Sequence, residues 1–266
     1  MPVEIVKEPL VVVLKTAGIN CDAETQYAFE KAGARAEVIH VNQFIDHEKK
    51  LNDYQIVAVP GGFSYGDDIG SGRVMAIELR SWFADEFLEH IQKGRLVVGI
   101  CNGFQVLAQT GLLPFGEMQS LKNTKVALTG NDSKRFESRW IHIAPQTGSC
   151  PFVFDDEPLY LPVAHREGKF VTDPTTLIKL EESGHVVFRY CDLYGKTATK
   201  YPENPNGSMN AIAGICDTSG RIIGLMPHPE RYTEFYHDPN WRRNDHKEPD
   251  GLKFIKQIVS FASQLK

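Results

Sequence analysis

The chain has 266 residues, 42% of them hydrophobic and 24% charged, with a formal net charge of −5. That composition belongs to a folded chain with ample core, and it excludes both a low-complexity segment and a strongly basic surface that tracks phosphates, so no nucleic-acid partner is expected. Its five cysteines, Cys21, Cys101, Cys150, Cys191 and Cys216, include no Cys-x-x-Cys pair. A disulfide framework and a structural zinc site are therefore both unexpected, and a reducing cytoplasm fits best.

In chain order, the opening "MPVEIVKEPLVVVLK" has no long apolar stretch before its first strand, so neither a leader nor a membrane span is expected. Residues 10–15 read as a buried strand and 21–33 as a helix closed by Gly33. Strands follow at 36–41 and 55–59. Over 74–93, Leu79, Phe83, Phe87 and Ile91 recur every fourth residue, which predicts one helix face. Residues 95–100 form a fourth strand, and 102–110 a helix ended by Gly111. Strands alternating with helices require parallel pairing with right-handed crossovers.

The rhythm changes between 121 and 226. The runs "RWIHIA", "HVVFRY", "AIAGIC" and "RIIGLM" are separated by turn residues rather than long helices, which predicts mixed or antiparallel strands added to the same sheet. A last helix carries Leu252, Ile255, Val259 and Ala262 on one face. No linker or repeat divides the chain, so residues 1–266 read as a single domain.

Gly99-Ile100-Cys101-Asn102-Gly103 lies at a predicted strand-to-helix junction. Glycines on either side of the cysteine permit a tight turn that lifts a nucleophile above the sheet, and a helix N-terminus favours its thiolate. The Asn102 backbone N–H would then face a developing oxyanion. Alone, the motif fits a buried structural cysteine better. The balance tips at "RIIGLMPHPER" (221–231), where a strand runs into His228 and Glu230. A thiol nucleophile needs a base to carry protons and a carboxylate to orient that base. The order Cys, His, Glu also differs from the α/β-hydrolases, whose acid precedes the histidine. A third strand end opens into "VPGGFSYGDD" (59–68), where Gly61 and Gly62 let bare backbone approach a ligand. Asp67 and Asp68 there read as a solvated turn.

Two apparent nucleotide motifs fail. Gly195-Lys196-Thr197 has Tyr190 where a phosphate loop needs glycine, and Gly70-x-Gly72 is followed by Met75 where a dinucleotide fingerprint needs its last glycine.

Together, "GICNGFQ", "PHPE" and the Pro60-Gly61-Gly62 loop resemble the class I (triad) glutamine amidotransferases. The resemblance spans nearly the whole chain. It implies a flavodoxin-like α/β fold, with a mostly parallel sheet flanked by helices and antiparallel strands added in the second half. It further implies Cys101 as nucleophile, His228 as proton carrier and Glu230 as its orienter, with an oxyanion hole from the Gly62 and Asn102 N–H groups. Gln105 would lie near the amide of the substrate, L-glutamine, and the main chain at Arg135 and Phe136 near its α-amino and carboxylate groups. The stretches "GINCD" (18–22), "RFESRW" (135–140) and "AHREGKF" (164–170) resemble the branch that feeds ammonia to a formylglycinamide ribonucleotide synthetase in purine biosynthesis. That branch implies an ATP-dependent synthetase partner and a small bridging subunit, with ATP and magnesium on the partner and no cofactor or metal in this chain. One departure is His165-Arg166-Glu167-Gly168, where the family usually has glycine second, a backbone freedom that Arg166 lacks. Three alternatives remain: a sister amidotransferase serving CTP, GMP or an amino-acid pathway, a flavodoxin-like cysteine hydrolase, and a scaffold subunit without glutaminase activity.

Overall fold

The structure, a computed structural model, describes residues 8–118, 123–153, 156–243 and 248–265. The first seven residues, on which the expectation of no leader partly rests, lie outside that set, as do residues 121–122 at the start of the second half.

The first half follows the predicted alternation. β1 (Leu10–Lys15), β2 (Arg35–His40), β3 (Ile56–Val59) and β4 (Leu96–Ile100) are joined through α1 (Asp22–Lys31), α2 (Asn42–Ile45), α3 (Arg73–Trp82) and α4 (Ala84–Gln92). After β4 come α5 (Asn102–Thr110) and α6 (Leu112–Phe115). The second half supplies β5 (Val126–Thr129), β6 (Glu137–Pro145), β7 (Leu159–His165), β8 (Lys169–Thr172), α7 (Pro174–Glu182), β9 (Val186–Cys191), β10 (Ile212–Cys216), β11 (Ile222–Leu225) and α8 (Asp250–Ala262). Among the described residues, no helix is long and apolar enough to cross a membrane.

One nine-stranded sheet runs β2-β1-β3-β4-β11-β10-β9-β6-β7, and β5 pairs with β8 in a second, two-stranded sheet. The core from β2 to β11 is parallel, in the doubly wound order that leaves strand C-termini open for a site. From β11 onward every pairing is antiparallel.

Two expectations change. The stripe over 74–93 is two helices, because Phe83 leaves helical dihedrals (φ −127°, ψ 10°). Its buried ring packs edge-on against Phe44 at 6.2 Å, so the break keeps the apolar face and redirects the chain. The second half also holds a proper helix, α7, with Pro174 in its first turn and the Asp173 side chain accepting from Thr176 N–H (3.0 Å). An Asp-Pro start is a standard helix signal that the turn-rich reading passed over.

Close packing of α5 onto the sheet depends on three glycines. Gly99 and Gly224 are register partners on β4 and β11. A Cβ on Gly99 would lie 2.6 Å from Leu107, and one on Gly224 would lie 2.2 Å from the Phe104 ring. On the helix itself, a Cβ at Gly103 would lie 1.8 Å from the Val59 carbonyl oxygen. Phe104, stacked on Phe170 at 6.5 Å, ties α5 to β8, and Phe188, edge-on to Phe254 at 5.3 Å, ties β9 to α8. Each such ring contributes about 1.5–3 kcal/mol on full burial.

Gly103→Ala should therefore destabilise the protein by about 3 kcal/mol or more, since the new methyl meets fixed backbone rather than a side chain that can turn away. Gly130→Ala, where a Cβ meets nothing within 4 Å, should stay within about 0.5 kcal/mol of wild type. Urea denaturation of the two variants checks both values.

Candidate active site

Cys101 stands between β4 and α5 with φ 50° and ψ −104°. A non-glycine residue held there carries roughly 1–3 kcal/mol of backbone strain. Neither Gly99 nor Gly103 has a positive φ, which corrects the expectation that the flanking glycines make the turn. They provide clearance for α5, and the cysteine itself takes the strained conformation. The strand does not end at the strain: Cys101 N–H donates to Leu225 O (2.8 Å), extending the pairing of β4 with β11 by one residue. The side chain lines a cleft of about 810 Å³, with its thiol directed toward Ala164 O at 3.7 Å.

His228 follows β11 and is 1% exposed; Glu230 is 2% exposed. Their side chains meet at 2.6 Å, His228 Nδ1 to Glu230 Oε1. Burial alone would lower the imidazole's pKa, but the Glu230 carboxylate and the neighbouring Cys101 thiol push it well above the ordinary histidine value. With Nδ1 committed to the carboxylate, Nε2 is the atom left for chemistry, and it has no hydrogen-bond partner among the described residues. The backbone at His228 is held from an unexpected quarter, since its N–H donates to Pro162 O on β7 (2.9 Å).

Gly62 lines the cleft with φ 134°. It bridges to Ile19, and the flanking Phe63 N–H donates to Gly18 O (3.0 Å), so this contact leaves the Gly62 N–H unspent. Asn102 is fully buried at the head of α5 and ties the loop to the helix. Its Oδ1 accepts from Ser64 N–H (3.2 Å), while its Nδ2 donates to Asp67 Oδ1 (3.2 Å) and Gln105 Oε1 (2.9 Å). Gln105 in turn donates to Glu167 O (2.6 Å). Asp67 is thus not a solvated turn residue. It also accepts from Ser71 Oγ (3.1 Å) and Gly72 N–H (3.4 Å), and burial raises its carboxyl above the usual range.

The structure brings Cys101, Gly62, Gln105 and Phe136 to the cleft and sets His228 and Glu230 buried behind it. Arg135 is exposed and is not among the lining residues; its carbonyl accepts from Asn131 Nδ2 (2.9 Å). Arg166 lines the cleft without a positive φ, so no glycine freedom is used there. Gly168 is the constrained position of that loop, because a Cβ on it would stand 2.4 Å from the His165 ring.

Sequence reasoning missed His165 and Asn131, and left the role of Cys21 open. His165 Nδ1 contacts Asn131 Oδ1 (3.1 Å), and burial with the neighbouring His228 pushes its pKa down to about 3. Asn131 also receives Gly168 N–H (3.0 Å), and it offered no sequence signal because its role is to join two loops. Cys21 lies beside His228 and Glu230, all three metal-type donor atoms being within 4.8 Å of one another. Glu230 is already engaged with the imidazole and Arg231 Nη2 donates to the Cys21 sulfur (3.1 Å), so this trio reads as a hydrogen-bonded cluster rather than a metal cage.

Comparison with known proteins gives a consistent result. Residues 8–262 match the CobB/CobQ-like glutamine amidotransferase domain family. The chain is 46% identical over 255 residues to phosphoribosylformylglycinamidine synthase subunit PurQ of Dehalococcoides mccartyi, covering 95% of this chain and 97% of the relative. It is 45% identical over 240 residues to the subunit of the same name from Methanococcus maripaludis, covering 88% and 86%. The solved structure of PurLQS from Thermotoga maritima contains a chain that superposes with a TM-score of 0.72 at 31% identity, over 96% of this chain and 99% of that one.

The neutral burial of His165 has a pH consequence. Unfolded, this histidine takes up a proton near its ordinary value of 6.5, but folded it resists down to about 3. Across that window the unfolded state binds more protons, so stability falls as pH falls. His165→Gln should reduce the slope of unfolding free energy against pH there by up to about 1.4 kcal/mol per pH unit, as read from urea titrations at successive acid pH values.

Proposed function

The chain belongs to the CobB/CobQ-like glutamine amidotransferase domain family, and from that membership we propose that Cys101, His228 and Glu230 are its catalytic triad. Its activity is that of the glutaminase subunit of phosphoribosylformylglycinamidine synthase, which supplies ammonia in purine biosynthesis. The observation that carries the residue assignment is the strained Cys101 elbow opening on a cleft, beside a buried imidazole held at 2.6 Å by a carboxylate.

The chemistry follows from that arrangement. The Cys101 sulfur adds to the carboxamide carbon of glutamine as its proton passes to His228 Nε2. The oxyanion that forms is met by the Gly62 and Asn102 N–H groups. The imidazolium, favoured by Glu230, then protonates the departing nitrogen, and ammonia leaves a glutamyl thioester. Water, deprotonated by His228, attacks that thioester, releasing glutamate and regenerating the thiol. Gln105, anchored to Asn102 and Glu167, and the Phe136 wall bind the substrate, with the main chain at Phe136 facing its α-amino and carboxylate end.

No step requires a metal or organic cofactor in this chain. ATP and magnesium are assigned to the synthetase partner, with which this subunit and a small third subunit assemble. Phe63 and Phe136 rim the cleft and are 44% and 48% exposed, apolar surface of the kind a partner covers. We read residues 1–266 as one amidotransferase domain, because strands from both halves build one sheet. Its free thiols support a reducing compartment, which we read as the cytoplasm.

In the assembled complex, Cys101→Ala should abolish synthesis from glutamine and leave synthesis from ammonium salts nearly intact; loss of both in an assembled variant refutes the assignment. A glutamine-analogue diazoketone should label Cys101 alone, as peptide mapping would show. The other cysteines are buried away from the cleft, and burial pushes Cys21 up to about 11, Cys191 and Cys216 to about 12, and Cys150 well above its ordinary value.

Gly62→Val tests the oxyanion hole. Its Cβ would stand 2.8 Å from Asn20 N at a φ that valine rarely adopts, so the N–H must turn. Losing one such donor costs about 2.7–4 kcal/mol, or roughly 10²–10³-fold in kcat. Unchanged turnover by a folded variant removes Gly62 from the site.

A further inference from the structure

The chemistry above gives Cys21 no step, yet its sulfur lies within 4.8 Å of both a His228 ring nitrogen and a Glu230 carboxylate oxygen. The thiol is neutral at physiological pH, since burial pushes it up to about 11. It accepts from Arg231 Nη2 at 3.1 Å and donates to Asn20 Oδ1 at 3.5 Å. Arg231 is otherwise held by Glu24, Nε to Oε1, at 2.8 Å. Gly61 closes the cluster, because a Cβ there would stand 2.9 Å from His228 Cε1 and 3.1 Å from the Cys21 sulfur.

The Glu230 carboxylate is only half used. Oε1 holds His228, whereas Oε2 is buried with no hydrogen-bond partner among the described residues. A buried carboxylate oxygen in that condition is a strong acceptor, and a guanidinium fork fits both carboxylate oxygens at once. The Arg231 guanidinium rests on the Cys21 sulfur at 3.1 Å, and that sulfur is itself within 4.8 Å of a Glu230 carboxylate oxygen. Were it to reach Glu230, the carboxylate would be shared between two cations, and the imidazolium of His228 would lose part of its support.

We propose that Cys21 is a positioning residue whose thiol keeps the Arg231 guanidinium off Glu230, so that the carboxylate stays committed to His228. The inference rests on the triad reading and adds to it the group that maintains the base. A thiol suits the place because it is bulky, uncharged and a weak hydrogen-bonding partner. The groups that face His228 are Glu230 and Cys21, Cys101 at the head of α5, and His165 at the end of β7, whose charged form is suppressed by burial. Arg231 and Glu24 stand behind Cys21.

The test follows the His228 ring by histidine-labelled NMR in the full chain, with the resonance assigned through His228→Asn. Cys21→Ala should lower the His228 titration midpoint by about one pH unit or more, as loss of part of a nearby opposite charge would. The alkaline limb of glutamine-dependent kcat/KM should move down with it. Adding Arg231→Gln to Cys21→Ala should return both to wild-type values. An unchanged midpoint in Cys21→Ala, or a lowered midpoint that persists in the double variant, overturns the proposal. Should the alanine variant not fold, Cys21→Ser, with and without Arg231→Gln, gives the same comparison with a smaller shift. The midpoint is read without turnover, so a midpoint that moves in a chain lacking glutaminase activity counts against the triad reading and for the cluster.

Discussion

The site depends on the parallel register of β4 with β11. Ile100 pairs with Leu225, and the Cys101 N–H carries the ladder one residue further onto Leu225 O at 2.8 Å. That register delivers the C-termini of two strands, far apart in sequence, to one end of the sheet, with Cys101 following one and His228 the other. It also sets Gly99 opposite Gly224, clearing a floor on which α5 can lie close. A helix so near the sheet forces its first residue through a sharp turn, and the cysteine absorbs it. The strain at Cys101 thus goes with how tightly α5 packs, and is sustained by the packing energy beneath it.

The antiparallel half completes the site from above. β7 is the edge of the nine-stranded sheet, and an edge is where a proline such as Pro162 can sit within a strand. Its carbonyl takes the His228 N–H, and the carbonyl of Ala164 faces the Cys101 thiol. The free side of an edge strand, usually a liability, is occupied here by the site itself. The loop after β7 then packs Gly168 on His165 and reaches Gln105 through the Glu167 carbonyl. Asn102 joins the same network to the Gly62 loop through Ser64 and Asp67. The cleft lining, the Gly62 loop and the head of α5 are consequently parts of one hydrogen-bonded assembly.

What was legible in the sequence is what local chemistry governs. The strand and helix alternation of the first half followed from periodicity, and a cysteine between two glycines at a strand-to-helix junction marked the elbow. His228 and Glu230 could be paired on paper because only Pro229 separates them, and the 2.6 Å contact is a local one. The misreadings have equally local causes. The four-residue stripe over 74–93 serves two helices as well as one, and cannot reveal that Phe83 turns aside to meet Phe44. "LYLPVAH" carries a proline in mid-strand, which speaks against a strand in sequence and is accommodated because β7 is the edge of the sheet.

The sequence by itself determined the fold class, the candidate nucleophile and its candidate base, because each is written in short-range spacing of residue types. Only the tertiary structure decided that Gly99 and Gly103 serve clearance rather than turning, that Asp67 is a half-buried, hydrogen-bonded anchor, and that Cys21 and Arg231 stand behind the His228–Glu230 pair. These facts depend on which strands become neighbours and in what register. A register is chosen by the summed packing and hydrogen bonding of the whole sheet, so no single stretch of sequence contains it.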